Sequence, residues 1–472
     1  MLTRLEVDGF KNLVDFSVDF GPYTCVAGPN GAGKSNIFDA IHFLSLLADY
    51  SILEAAVRVR ARTEDTARLD DLFFRSESIR KDSFKLAAEM LVAQDVVDDF
   101  GRPGKASSTF LRYELEIARR DGSSSDSVRS IFDMELRSEK LHHITQGDAN
   151  KKLRFPHSKP AFRDAAVINR RFARTGYIST AESDDGHTEI IVHQDGGSRG
   201  PGQRAPARLA PRTIVGTTST IATPTVLAAR REMQGWRLLS LEPSAMRRPD
   251  RLGRDPDVVS DNGAHLAATL NRLKEREGSN GDVVARVSSR LAELVSVSNV
   301  DVVRDDVREL LTLSVTEDDG TEFAASAISD GTLRFLALSV LAEDPEAKGL
   351  ICVEEPENGI HPEKLPAMAT LIRDLAVDAE LPIDSENVMR QVILATHSPY
   401  YLQLQDKNDV LLARETTMRY ADSPVRGFQC YPLKGTWRTD FDGTRPALGI
   451  STMRDYLQPP EGVQLRLPFE SI

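Results

Sequence analysis

Gly28-Pro29-Asn30-Gly31-Ala32-Gly33-Lys34-Ser35 is the stretch on which the reading of this chain turns. It satisfies G-x-x-x-x-G-K-[ST] and lies between an apolar run, Tyr23 to Ala27, and a segment from Lys34 in which Ile37, Ile41, Leu44 and Ala48 recur at helical spacing. Strand, glycine-rich turn and helix are the context in which this motif cradles phosphates. Glycines let backbone N–H groups turn inward, and the helix N-terminus adds favourable partial charge. Lys34 can reach the β and γ phosphates of a nucleotide, and the Ser35 hydroxyl can ligate Mg²⁺. Asn30, Gly31, Ala32, Gly33, Lys34, Ser35 and Asn36 are therefore the expected nucleotide contacts.

Upstream, Leu5 to Phe10 and Val14 to Phe20 read as strands that precede the Tyr23–Ala27 run. Downstream, Leu111, Tyr113, Leu115 and Ile117 alternate with Arg112, Glu114 and Glu116, and Phe132, Met134 and Leu136 repeat the pattern, which predicts half-exposed antiparallel strands. From Gly196 to Arg231 there is no acidic residue, while Arg199, Arg204, Arg208, Arg212, Arg230 and Arg231 fall within it. That composition predicts a mobile basic loop entering a helix, a candidate contact for DNA or a partner. Leu266, Leu270 and Leu273, then Val284, Val287, Leu291 and Leu294, mark two amphipathic helices. Strands near 310–315, 350–353 and 392–395 then alternate with helices, the pattern of a mainly parallel sheet.

Leu350-Ile351-Cys352-Val353-Glu354-Glu355 is an apolar strand ending in two carboxylates, the Walker B pattern. Glu354 is expected to hold Mg²⁺ and Glu355 to orient and polarise an attacking water, because phosphoryl transfer depends mostly on positioning and charge stabilisation.

Ile328-Ser329-Asp330-Gly331-Thr332-Leu333-Arg334, then Glu354 to Pro362, then Ala395-Thr396-His397-Ser398-Pro399, together resemble the signature, the Walker B segment with its D-loop, and the switch histidine of ABC-type ATPases. The order and the short signature-to-Walker-B spacing are similar to compact RecF-like and OLD-like ATPases rather than membrane transporters. The resemblance implies a head-to-tail dimer with two ATP molecules sandwiched, Ser329 and the Gly331 N–H reaching the γ phosphate in trans, and His397 sensing it in cis. Glu354 stands where Asp is commoner. No Q-loop glutamine can be assigned, Gln94 being a candidate without distinctive spacing.

The fold class implied is α/β: a P-loop NTPase of ABC type, with a mainly parallel sheet and flanking helices, an antiparallel β lobe, and a helical and loop insertion. The expected division is 1–135 for the first half of the head, 136–305 for the insertion, and 306–472 for the second half. No sustained heptad repeat occurs, which sets the chain apart from SMC-type relatives with their long coiled coils. With only about seventy residues after His397, a TOPRIM domain of the OLD type is not expected either.

A hydrophobic fraction of 40% with 28% charged residues is ordinary globular composition, and no basic segment followed by an apolar run opens the sequence. Cys25, Cys352 and Cys430 are widely spaced, and reduced thiols in a cytoplasmic protein are expected. The net charge of -12 argues against a surface coated all over with nucleic acid. Two functions follow as expectations. One is an ATP-driven switch, a homodimer or a higher assembly, that controls a separately encoded effector such as a nuclease in antiviral defence or DNA repair. The other is a self-contained metal-dependent nuclease using Asp440 and Asp442.

Overall fold

The computed structural model describes the chain apart from residues 61–68, 78, 121–133, 172–174, 196–201, 278–281, 421, 441–445, 450 and 452–472. Its centre is a six-stranded sheet in the order Arg237–Leu239, Gly349–Glu354, Arg390–Thr396, Tyr23–Ala27, Val410–Tyr420, Ser423–Pro432. Every neighbouring pair is parallel except the last, which is antiparallel. The two central strands, Tyr23–Ala27 and Arg390–Thr396, are buried along their whole length, as a parallel sheet covered on both faces requires.

Alternation along the strands assigns each face. Leu350 and Cys352 pack with Ile37, Phe38, Ile41 and Leu44 of the helix Lys34–Leu47. Ile351 and Val353 point the other way, into a cluster with Leu333 and Leu336 of the helix Asp330–Glu343 and Met368 and Ile372 of the helix Leu365–Asp374. One strand thus joins two cores, and its polar end emerges between them.

An eight-stranded antiparallel sheet forms the lobe, in the order 203–206, 188–192, 178–182, 134–143, 110–119, 83–91, 2–8, 16–19. Leu5, Val7, Leu86, Ala88, Leu111, Tyr113 and Leu115 supply its apolar face and share a core with the helix Lys34–Leu47. On the opposite face Arg112 bridges Glu6, Glu89 and Glu114. A third sheet joins Asp250–Arg251, Leu310–Glu317 and Val297–Asp305.

Residues 136–305, expected as an insertion, contribute strands to three of the sheets, and the strand Arg237–Leu239 is an edge of the central one. The basic stretch differs from the mobile loop expected of it. It contains a strand, Gln203–Pro206, a short helix, Ile214–Thr217, and the helix Pro224–Gln234. Its arginines meet carboxylates and carbonyls from distant sequence: Arg204 with Glu189 at 3.0 Å, Arg208 with Glu135 at 3.5 Å, Arg212 with the Asp49 carbonyl at 2.9 Å, and Arg231 with Asp99 at 2.6 Å. Arg230 donates to the Ala48 and Thr218 carbonyls, both at 2.8 Å. Arg199 lies outside the described residues. The local excess of positive charge is thus opposed by acidic groups that a sequence window does not include. All three cysteines are free thiols, and among the described residues no helix is long and apolar enough to cross a membrane.

Candidate nucleotide-binding site

The loop Gly28–Gly33 connects the central strand Tyr23–Ala27 to the helix Lys34–Leu47. Gly31 and Gly33 hold φ of 78° and 107°, the left-handed region that favours glycine. A Cβ on Gly33 would stand 2.3 Å from Asn12 Nδ2, and one on Gly28 would stand 2.7 Å from the Ala413 carbonyl oxygen, so both positions also lack room. Asn36 Nδ2 donates to Asn12 Oδ1 at 2.7 Å, tying the helix start to the turn after the first strand. Lys34 Nζ donates back across the loop to the carbonyls of Gly28 at 2.6 Å and Pro29 at 2.9 Å. Burial lowers the Lys34 pKa, opposed by the nearby charges of Glu355, Glu354 and Glu357.

Glu354 ends the Walker B strand with Ala395 of the neighbouring strand opposite it. Glu355 then leaves the sheet with φ 49°, an uncommon conformation for a non-glycine residue. Its N–H still donates to the Ala395 carbonyl at 2.8 Å. Its carboxylate accepts from Asn358 Nδ2 at 2.7 Å, and its other oxygen lies 2.7 Å from His397 Nδ1. The strained residue is held from three sides, the circumstance in which such backbone persists. His397 is brought there because its strand, Arg390–Thr396, runs parallel to and beside the Walker B strand.

A cleft of about 650 Å³ is lined by Asn30, Gly31, Gly33, Lys34, Ser35 and Asn36 on one side and by Glu354, Glu355, Pro356 and Asn358 on the other, and His397 meets it only through Glu355. That volume lies within the range of small-molecule sites. A second opening of about 1100 Å³ shares Asn36 with it and is lined also by Lys11, Asn12, Phe73 and Arg426.

Ser329 and Gly331 do not line the cleft. Ser329 caps the helix Asp330–Glu343, its hydroxyl accepting from the Thr332 N–H at 3.3 Å. Gly331 presses on the D-loop: a Cβ there would stand 2.3 Å from the Gly359 carbonyl oxygen. Arg247 steadies the segment by donating to the Ile328 carbonyl at 2.7 Å and to Asp330 at 2.6 Å.

Sequence reasoning missed Ser240, Leu241 and Arg334, which also line the cleft. Ser240 and Leu241 follow the edge strand Arg237–Leu239, which pairs with the Walker B strand through Leu238 and Cys352. Arg334 reaches the Asn358 carbonyl at 2.6 Å; it stood within the quoted signature but without an assigned role. Gln94 is not among the cleft residues. Asp440 ends the short helix Trp437–Asp440, and Asp442 lies outside the described residues. Asp250, Asp255 and His265 approach one another closely enough to share a metal, but Asp250 is already bonded to His265 Nδ1 at 3.0 Å and to the Ala268 N–H at 2.9 Å.

Two sequence-family models match. Residues 4–154 match an AAA domain, and residues 221–402 match the family described as "AAA domain, putative AbiEii toxin, Type IV TA system". Among curated proteins, the chromosome partition protein Smc of Bordetella petrii is 31% identical over 152 residues, 31% of this chain and 11% of that protein. The OLD nuclease of Thermus scotoductus is 51% identical over 41 residues, 9% of this chain and 8% of that protein. The chain thus spans about a tenth of the length of these relatives. A solved Smc head bound to the C-winged helix domain of ScpA aligns over 92% of this chain and 98% of that one, at 14% identity and a TM-score of 0.49. Both matched sections are thus similar to AAA domains, and they lie on a P-loop α/β fold with flanking helices.

Proposed function

We propose that the chain binds ATP with Mg²⁺ and hydrolyses it as one head of a two-headed switch. The observation that carries this reading is the convergence of Lys34, Ser35, Glu354 and Glu355 on one cleft, with Ser329 and Gly331 outside it. The loop N–H groups and the helix start grip the phosphates, and Lys34 exchanges the Gly28 and Pro29 carbonyls for the β and γ phosphates. Ser35 and Glu354 offer the hard oxygen donors that suit Mg²⁺, although a Glu reaches further than the commoner Asp. An ion held there would supply positive charge to balance that of the phosphates. Glu355 orients the attacking water, and His397 holds Glu355 until the γ phosphate arrives. The opening beside Lys11 and Asn12 receives the nucleoside end.

Because the signature does not border its own cleft, it serves a partner's nucleotide, and the simplest assembly is a two-fold homodimer. In this reading ATP-driven closure controls a separate effector, such as a nuclease, in antiviral defence or DNA repair within the cytoplasm. The local likeness to an OLD nuclease and the toxin–antitoxin wording of the matched family support that direction. With the arginines of 204–231 opposed by internal acids, direct DNA binding by that stretch is not part of the reading.

Mixing a Lys34→Ala chain with a Ser329→Arg chain tests the composite site. Each alone lacks a complete site, whereas a mixed dimer regains one, with the P-loop from the second chain and the signature from the first. Phosphate release is expected to reappear on mixing, with ATP-dependent dimers seen by light scattering. A Ser329→Arg chain that hydrolyses ATP normally as a monomer refutes the trans role of the signature.

A further inference from the structure

The turn leaving the Walker B strand carries a third glutamate that does not face the cleft. Glu357 is 8% exposed, and its Oε1 accepts a hydrogen bond from the Thr396 hydroxyl. Thr396 Oγ1 in turn accepts the Ser398 N–H at 2.9 Å. His397 therefore sits between two residues tied to each other, and the tie is anchored on Glu357. Glu355, which lines the cleft, meets His397 at 2.7 Å. The turn and the strand end are thus fastened twice, once by the catalytic pair and once behind it.

The second fastening is costly. Glu357 Oε2 is buried with no hydrogen-bond partner among the described residues, and a buried acceptor left unpaired is destabilising. Burial raises the Glu357 pKa, against the Thr396 hydrogen bond and His397 and in the same direction as Glu355. An apolar side chain would fill this buried position at lower cost. What it would not do is hold Thr396. Glu355 stands at φ 49°, and backbone of that kind persists only when its surroundings over-determine it. Glu357, two residues further on, supplies a buried anchor for the turn.

We propose that Glu357 is a positioning residue for hydrolysis: through Thr396, its buried side chain fixes the turn that carries Glu355 against the strand end that carries His397. The role rests on the ATPase reading above. It touches no nucleotide and moves no proton, so it acts on turnover and not on binding.

The test compares full-length wild-type, Glu357→Ala, Glu357→Gln, Thr396→Val and Thr396→Ser chains by steady-state phosphate release and by titration with a fluorescent ATP analogue. Glu357→Ala should lower kcat roughly 10- to 100-fold, as small misplacements of catalytic groups do. Affinity for the analogue should stay within about twofold, the split expected when an interaction outside the binding surface is lost. Glu357→Gln should recover most of kcat, since its amide oxygen still accepts from Thr396. Thr396→Val should fall as Glu357→Ala does, and Thr396→Ser should remain near wild type. Glutamine as slow as alanine overturns the tether, because charge would then be the operative property. Should Glu357→Ala fail to fold, the Thr396 pair decides: equal kcat for Thr396→Val and wild type overturns the proposal. A wild-type chain that hydrolyses nothing removes the ATPase reading and this role with it, whereas normal hydrolysis by a folded Glu357→Ala chain removes this role alone.

Discussion

Replacing Gly331 by alanine should slow hydrolysis and lower stability modestly while leaving ATP binding nearly unchanged. The added Cβ would stand 2.3 Å from the Gly359 carbonyl oxygen and 2.9 Å from Ile360 Cδ1. Real Cβ contacts essentially never fall under 3.0 Å, so the signature helix and the D-loop must separate by about 0.7 Å. Overpacking of this kind costs about 1–3 kcal/mol. Alanine returns up to about 1 kcal/mol of helix propensity, less in the first turn, which leaves a net loss of roughly 0–3 kcal/mol. The displacement passes to Glu355, because Asn358, next to Gly359, bonds its carboxylate at 2.7 Å. A shift approaching 1 Å at a catalytic group costs on the order of 10²-fold in rate, so kcat should fall roughly 10- to 100-fold. The P-loop is untouched, so nucleotide affinity should hold. Gly147→Ala is the control: it lies in the helix Gln146–Lys152 with its nearest contact at 3.9 Å, and should leave hydrolysis unchanged. Phosphate release, a nucleotide titration and a thermal melt on the three chains suffice. Hydrolysis by Gly331→Ala within about twofold of wild type would refute the contact between signature and D-loop as a determinant of the site.

Lys34→Ala should abolish tight ATP binding, since the cation nearest the expected phosphate position is lost, and an unchanged titration would remove the P-loop assignment. Glu355→Gln should bind ATP but turn it over very slowly and accumulate closed dimers; wild-type turnover would move the general-base role elsewhere. Stability should also depend on pH through Glu139, which accepts from the Ile214 N–H at 2.7 Å, the Val215 N–H at 3.0 Å and Tyr113 at 3.1 Å in full burial. Burial pushes its pKa up from 4.5 to about 7, against those hydrogen bonds. A folded pKa above the unfolded one means the folded state holds the proton more tightly. Its contribution is therefore full below about 4.5 and lost as pH rises to about 7. The melting temperature should fall across that window, and less steeply in Glu139→Gln; identical slopes would count against the buried charge as the cause.

The parts of the site that were legible in the sequence are those in which a local pattern carries the whole physical argument. Tyr23–Ala27 and Gly349–Glu354 are short apolar runs ended by turn or acidic residues, and a parallel strand buried on both faces has no other appearance. Ile37, Ile41 and Leu44 announce their helix by their spacing, although burial extends round it to Phe38, Asp39, Ala40 and Phe43. What was hidden depends on pairs far apart in sequence. Arg204 and Arg231 look unpaired in a window without acids, yet Glu189 and Asp99 stand beside them. Ser240 enters the cleft from a strand of three residues, too short to show a period, whose position is fixed by pairing Leu238 with Cys352. Glu357 stood in plain view within a recognised motif, but its significance lies in Thr396, which becomes its neighbour only when the two strands align. The glycines make the same point. Gly331 and Gly359 belong to different motifs, and each can be read alone as a helix-start or turn residue. In the fold they face each other: Gly359 takes φ 81°, and its carbonyl occupies the space that any side chain on Gly331 would need. The composition of one motif is thus a condition on the backbone of the other. Contacts between motifs, more than the motifs themselves, are where substitutions should separate catalysis from binding.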